Sequence, residues 1–255
     1  MQISQRSDLT GQVAIVTGAA RGIGQACACA LAAEGADIVT ADLVPSDATL
    51  ALVRELGRRT LDVPIDVTRH DSVRQLVERV IAELGRIDIL VNNAGTLARV
   101  GVEDTSDEIW DRDINTTLRG TFLTIQAVLP HMKERRYGKI VNISSISGKI
   151  GGVASRAAGS TRGRSGPAYA AAKGGVLALT KWVAKDVGRD GIYVNAVAPG
   201  GIETEMTRGF DYGVESIPIP RIGQPEDVAQ CVVYLASQMS NYVTGAVLDV
   251  NGGLA

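Results

Sequence analysis

The 255-residue chain is poor in aromatics, with two Phe, two Trp and six Tyr, and it holds only three cysteines and two histidines. Each shortage excludes something. Cys27, Cys29 and Cys231 cannot all pair and show no metal-ligand spacing, so neither a disulfide framework nor a metal site is expected. Buried free thiols in a reducing cytoplasm are the expectation instead. No carboxylate cluster accompanies His70 or His131, which read as surface or helix-end residues. The longest apolar runs are strand-length, too short for a transmembrane helix. Met1 to Thr10 is polar and lacks the apolar core of a signal peptide. Lys and Arg number 26 against 28 Asp and Glu, interspersed, for a net charge of -2. Neither a nucleic-acid surface nor a polybasic membrane patch is expected; the expected partner is a small molecule.

What the chain has in quantity is glycine, 29 residues, and alternation of strand-like and helix-like stretches. Strands are expected at Gln12–Thr17, Asp37–Ala41, Thr60–Pro64, Ile87–Val91, Lys139–Ile143, Tyr193–Ala198 and Val247–Val250. Helices are expected at Gly22–Glu34, Asp47–Leu56, Asp71–Leu84, Ser106–Arg136 (bent at Pro130), Ala168–Val187 and Pro225–Ser237. This rhythm predicts an α/β fold: one doubly wound, mainly parallel sheet of about seven strands, helices on both faces, and a single domain over residues 1–255. Two stretches break the rhythm, Gly148–Pro167 and Pro199–Gln224. Trp110 and Trp182 fall on helices and are expected to pack there.

Three features carry chemistry. Between the first strand and first helix runs Thr17-Gly18-Ala19-Ala20-Arg21-Gly22-Ile23-Gly24. Its glycines permit a tight turn and close approach of a pyrophosphate to a helix N-terminus. Asp42 follows the second strand, 24 residues after Gly18. An acid there accepts hydrogen bonds from a ribose and repels a 2′-phosphate, which favours NAD over NADP, although Arg21 could favour a phosphate. Its other role would be to cap the next helix, which Ser46 and Asp47 suit better. The third feature is Tyr169-Ala170-Ala171-Ala172-Lys173. Four residues apart on a helix, Tyr169 and Lys173 share a face. A neighbouring ammonium should lower the phenol's pKa and make Tyr169 a proton donor and acceptor near neutral pH.

At these residues the chain resembles the short-chain dehydrogenase/reductase family, and the resemblance covers nearly its whole length. Thr17 to Gly24 is similar to the family's glycine loop, including Ile23. Asn92-Asn93-Ala94-Gly95 is similar to its Asn-Asn-Ala-Gly motif. Asp66 and Val67 stand where it contacts adenine, and Pro199, Gly200, Ile202 and Thr204 where it contacts nicotinamide. The resemblance implies a catalytic set of Asn115, Ser145, Tyr169 and Lys173, with NAD as cofactor. Tyr169 would move the proton and Lys173 would also bind the nicotinamide ribose. Ser145 would hold the substrate oxygen, and Asn115 would hold a water leading to Lys173. A homotetramer is implied, with the Ser106–Arg136 and Ala168–Val187 helices packed on their symmetry mates and Tyr242–Ala255 at another interface.

The chain departs from the family pattern between Ser145 and Tyr169, which lie 24 positions apart. The extra residues form a loop insertion at 149–166 that carries Arg156, Arg162 and Arg164. It reads as a mobile surface loop, or as part of the substrate mouth whose arginines bind an anionic substrate group. Ser144, Ser147 and Ser165 compete with Ser145 for the serine's role. Met206 falls in a lid, Thr204–Pro218, that looks short for the family. The leading functional expectation is an NAD-dependent oxidoreductase interconverting a secondary alcohol (a polyol, sugar or hydroxy acid) and its ketone. The alternative is an NADPH-dependent reductase like the 3-oxoacyl-carrier-protein reductases. A third reading is a cofactor-sensing binding protein without turnover.

Overall fold

The computed structural model describes residues 7–153, 156–157 and 164–254. Seven parallel strands form one sheet: β1 (Val13–Thr17), β2 (Asp37–Asp42), β3 (Thr60–Pro64), β4 (Ile89–Asn92), β5 (Gly138–Ile143), β7 (Ile192–Pro199) and β9 (Val247–Val250). Their spatial order is β3-β2-β1-β4-β5-β7-β9. The order reverses between β1 and β4, and at such a reversal the strand ends leave a crevice for a ligand.

Alternation along β1 explains the two layers. Val13 and Ile15 point to one face, where they meet α3 (His70–Leu84), α5 (Gly120–Arg135) and α7 (Pro167–Val187). Ala14 and Val16 point to the other, against α1 (Gly22–Ala33) and α8 (Pro225–Ala236). Successive strand residues face opposite sides, so an unbroken apolar run needs cover on both. The α1 face is built from Cys27, Ala28, Leu31 and Ala32, small side chains that admit α8 closely. Cys27 is buried there as a free thiol, and burial pushes its pKa well up. Cys29 and Cys231 are also free.

The remaining elements are α2 (Asp47–Glu55), α4 (Asp107–Ile114), α6 (Ser147–Ile150), β6 (Arg156–Ala157) and β8 (Phe210–Asp211). Two helical expectations need correction. The expected Ser106–Arg136 helix is two α-helices joined by a π turn, Asn115–Arg119. The α-helical irregularity thus lies at Asn115, whereas α5 continues through Pro130. Trp110 and Trp182 are 43% and 67% exposed in the single chain. Among the described residues no helix is long and apolar enough to cross a membrane.

Candidate active site

The sheet's C-terminal edge carries the site. At its nucleotide end the glycine turn is tied from three sides. The Asn93 amide donates to the carbonyls of Thr17 (3.1 Å) and Gly18 (2.9 Å). The Thr17 hydroxyl accepts from the backbone N–H groups of Asn93 and Ala94, at 3.0 and 3.1 Å. Asp42 Oδ2 accepts from Ala20 N at 2.9 Å, so the acid at the end of β2 also braces the turn. Gly18 sits at φ +64°, and a Cβ on Gly24 would overlap the Gly18 carbonyl; side chains at either position would break the turn. Helix α1 follows with Arg21 at its N-cap and no side-chain cap. Its first N–H groups therefore point into the turn without a side-chain partner, as an anion site requires. These residues fit the pyrophosphate of a dinucleotide. Arg21 itself pairs with Glu205 of the lid at 2.6 Å, with both side chains well exposed.

At the other end a single cleft is lined by Ile23, Asn93 and Gly95, by Ser145, Tyr169 and Lys173, and by Pro199, Gly200, Ile202 and Thr204. The fold thus brings these sequence-derived residues together. The competing serines separate by their bonds. Ser144 donates to the Lys173 carbonyl at 2.8 Å, turned toward α7. The Ser147 and Ser165 hydroxyls bond each other at 2.9 Å. Ser145 Oγ accepts from Ser147 N at 3.1 Å and lies within reach of the Tyr169 hydroxyl. Lys173 Nζ donates to the Ile143 carbonyl at 2.6 Å and lies 5.6 Å from the Tyr169 ring centre.

The electrostatics correct one expectation. Tyr169 is not depressed by its lysine: burial raises its pKa to about 12, with Ser145 and Arg99 pulling it partly back. Burial also lowers Lys173 to about 8. Desolvation penalises both charged forms, and it is the largest influence on each group.

Other expected residues sit apart from the cleft. Asn115 opens the π turn, and its carbonyl accepts from Gly120 N. The π turn packs on α7, where a Cβ on Gly175 would fall 2.7 Å from Leu118. The Asp66 carboxylate accepts from Thr68 N and Oγ1, at 2.9 and 2.7 Å, and starts the turn into α3. Val67 is buried in the core. Of the insertion arginines, Arg162 lies outside the described residues and Arg156 is described only through its backbone pairing. Arg164 is exposed. That pairing joins the insertion to the lid: Arg156 and Ala157 run antiparallel to Asp211 and Phe210. Met206 also lines the cleft. Among the described residues no group of acids, histidines and cysteines could hold a metal.

Three kinds of residue escaped the sequence reading. Arg99 and Tyr212 line the cleft. Buried Asp113 holds Thr96 Oγ1 and Ala98 N at 2.8 and 2.9 Å. Asn142 joins Asn92 and Thr180 in a buried chain, both bonds 2.9 Å. Only Asn142 left a signal, as a polar residue inside an apolar strand.

Residues 18–255 match the family described as enoyl-(acyl carrier protein) reductase. The chain is 41% identical to the 3-oxoacyl-(acyl-carrier-protein) reductase FabG of Thermotoga maritima, over 96% of this chain and 98% of that one. It is 40% identical to trans-4-hydroxycyclohexanecarboxylate dehydrogenase of Sinomonas cyclohexanicum, over 98% and 96%. A solved structure provisionally named 2-deoxy-d-gluconate 3-dehydrogenase, from Agrobacterium tumefaciens with bound NADP, superposes with a TM-score of 0.85. It is 36% identical and covers 97% of this chain and 98% of that one. With its glycine turn, its Ser145–Tyr169–Lys173 cleft and relatives matched nearly end to end, the chain belongs to the short-chain dehydrogenase/reductase family of oxidoreductases.

Proposed function

We propose that the protein reduces a ketone to a secondary alcohol with a nicotinamide cofactor, with Tyr169 as the proton donor. The observation that carries this is a Tyr169 hydroxyl within reach of Ser145 in the cleft that Lys173 also lines. The cofactor, when bound, supplies the hydride to the carbonyl carbon. Ser145 donates a hydrogen bond to the ketone oxygen and fixes it, and the Tyr169 hydroxyl gives that oxygen its proton as the C=O double bond opens. Lys173, 5.6 Å from the Tyr169 ring centre, would hold the cofactor's ribose hydroxyls. Asn115, at the start of the π turn, would hold a water leading to Lys173. In the reverse direction the same groups oxidise an alcohol.

For the substrate, a 3-oxoacyl thioester on a carrier protein is better supported than the polyol or sugar expected first from the sequence. Its support is the run of carrier-protein reductases among the relatives. A second reading, a hydroxy or oxo acid, draws on the relative named for a hydroxycyclohexanecarboxylate. For the cofactor we retain NAD, since the Asp42 carboxylate stands at the end of β2 beside the glycine turn, where it would oppose a 2′-phosphate. NADPH is the rival. One matrix decides all of this: NADH or NADPH with an acetoacetyl thioester or an oxo acid, followed at 340 nm. Turnover with NADPH alone would remove the role given to Asp42. No turnover in any cell, nor with a wider set of ketones, would return the protein to the binding-protein reading.

Exposed Phe122 and Trp182, on α5 and α7, are the faces on which we propose a homotetramer assembles. Sedimentation as a monomer would refute it. Three free thiols suit a reducing compartment, and we place the protein in the cytoplasm on that ground.

A further inference from the structure

We propose that Asp113 is a positioning residue for the proton transfer: through Ala98, its carboxylate holds the first turn of α7, and with it the Tyr169 hydroxyl, in place against Ser145. The inference rests on the ketone reduction proposed above and gives a part in it to a residue of α4 that does not itself line the cleft.

Asp113 is the one buried residue of α4, at 0% exposed, on a helix whose other side chains are exposed or half-buried. A helix that buries a carboxylate alone reverses the usual pattern, and such a group persists only with partners. Oδ2 accepts from Ala98 N at 2.9 Å. Oδ1 accepts from Thr96 Oγ1 at 2.8 Å and from Arg112 Nε and Nη2 at 3.2 and 3.1 Å. Arg112 is half-exposed and lies on the same helix. The bonds to Thr96 and Ala98 instead leave the helix and fasten the segment that follows Gly95. An apolar side chain would fill the same space without needing any of these bonds, so packing alone does not call for an acid here.

The fastened segment is bonded in turn to the start of α7. The Ala98 carbonyl accepts from Gly166 N at 2.8 Å, and the Gly166 carbonyl accepts from Ala170 N at 3.1 Å. Gly166 is the N-cap of α7, three residues before Tyr169, and its φ of -65° is open to any residue. Its lack of a side chain serves the close approach: a Cβ there would fall 2.6 Å from the Ala98 oxygen. Ala98 is thus bonded on one side to the buried carboxylate and on the other to the helix that carries the reacting phenol. Leu97, between Thr96 and Ala98, lines the cleft, so the same bonds set a wall of the substrate site. Asp113 also opposes the ionisation of Tyr169, so its charge reaches the hydroxyl it helps to place. A proton donor works only within about 2.6–3.2 Å of its acceptor, and a misplacement of about 1 Å can cost a hundredfold.

The test breaks the link at each joint in the full chain. Asp113→Ala removes the acceptor, and Gly166→Ala pushes the Ala98 carbonyl away from the helix. Each should lower kcat for ketone reduction by roughly 10- to 100-fold, while the KM for the reduced cofactor stays within about twofold, because the glycine turn is untouched. In the double variant the two losses should not multiply, since both cut one link. Asp113→Asn keeps one acceptor for Ala98 N and should recover part of the loss. Wild-type kcat in either single variant, losses that multiply, or no recovery with asparagine overturns the proposal. If Asp113→Ala does not fold, Gly166→Ala carries the test alone. Hydrogen exchange gives a readout that needs no turnover: amides 166–170 should exchange faster in the variants, and amides 17–24 at the wild-type rate. Unchanged exchange at 166–170, or a rise spread over the whole chain, also overturns it. Full activity in Tyr169→Phe would sink the ketone-reductase reading separately, and the exchange result would then show whether Asp113 holds the helix start.

Discussion

Two tyrosine–lysine pairs lie at opposite ends of β5. At its start Lys139 faces Tyr193 of β7, its direct cross-strand neighbour, with Nζ 3.9 Å from the ring centre. At its end Lys173 reaches the Ile143 carbonyl beside Tyr169. Both lysines are almost fully buried, 0% and 4% exposed, and burial lowers both to about 8. Their surroundings differ. Lys139 Nζ is closed in by Ser240 Oγ (3.2 Å) and Asn241 Oδ1 (2.9 Å). Lys173 opens on the cleft shared with Ser145 and Tyr169. A shifted lysine pKa is thus common to a structural site and a candidate chemical one. What separates them is the open edge of a parallel sheet and a hydroxyl in reach of a bound oxygen.

The largest expected difference is at the tyrosines. Tyr169→Phe should lower kcat for ketone reduction by roughly 10²- to 10⁴-fold, the usual contribution of a positioned acid. Tyr193→Phe keeps the ring under Lys139 and should stay within about twofold of wild type, since nothing at that end of β5 faces the cleft. Equal losses in steady-state turnover would erase the distinction between the pairs.

The lysines should separate next, by pH. Ketone reduction should be flat in kcat/KM below about pH 8 and decline above it. Tyr169 holds its proton through that range, while Lys173 gives up the charge that binds the ribose. Lys139→Met should leave this profile in place. Its effect falls on stability. Its folded pKa, about 8, is below the unfolded value of 10.5, so between these limits the unfolded chain binds more protons. Stability therefore rises with pH across that window, by up to about 3 kcal/mol for one such lysine. Lys173 contributes in the same direction; raised Tyr169 opposes both only above pH 10. Urea melts at pH 7.5 and 9.5 should show a smaller rise in Lys139→Met than in wild type. An identical rise would mean that Lys139 is hydrated in solution.

Much of this was legible in the chain. The strands at Thr60–Pro64 and Val247–Val250 fall where apolar patterning puts them, and the others differ by a residue or two at their ends. The glycine turn and the Tyr169–Lys173 spacing were legible because local geometry dictates them. Other features depend on the assembled fold. The sign of the Tyr169 shift needs its burial, which no local spacing reports. The serines could be sorted only once Ser144 was seen turned to α7 and Ser147 paired with Ser165. Arg99 and Tyr212 are more than a hundred positions apart, and their contact exists only because the lid crosses the cleft.

Between the two pairs, one residue before the end of β5, lies the residue that joins their supports. Asn142 accepts from Asn92 of β4 and donates to Thr180 of α7, two turns beyond Lys173, while Asn92 in turn accepts from Thr124 of α5 at 2.6 Å. Asn142→Ala removes the middle of that chain and leaves the Asn92 amide buried without its acceptor. The cost should be about 1–3 kcal/mol by urea denaturation, the price of an unsatisfied buried group. Part of it should also appear in kcat, because α7 carries Tyr169 and Lys173 and loses an anchor to the sheet. A loss confined to stability, with kcat and the pH profile intact, would show that α7 is positioned by its apolar contacts and the Ser144 bond alone.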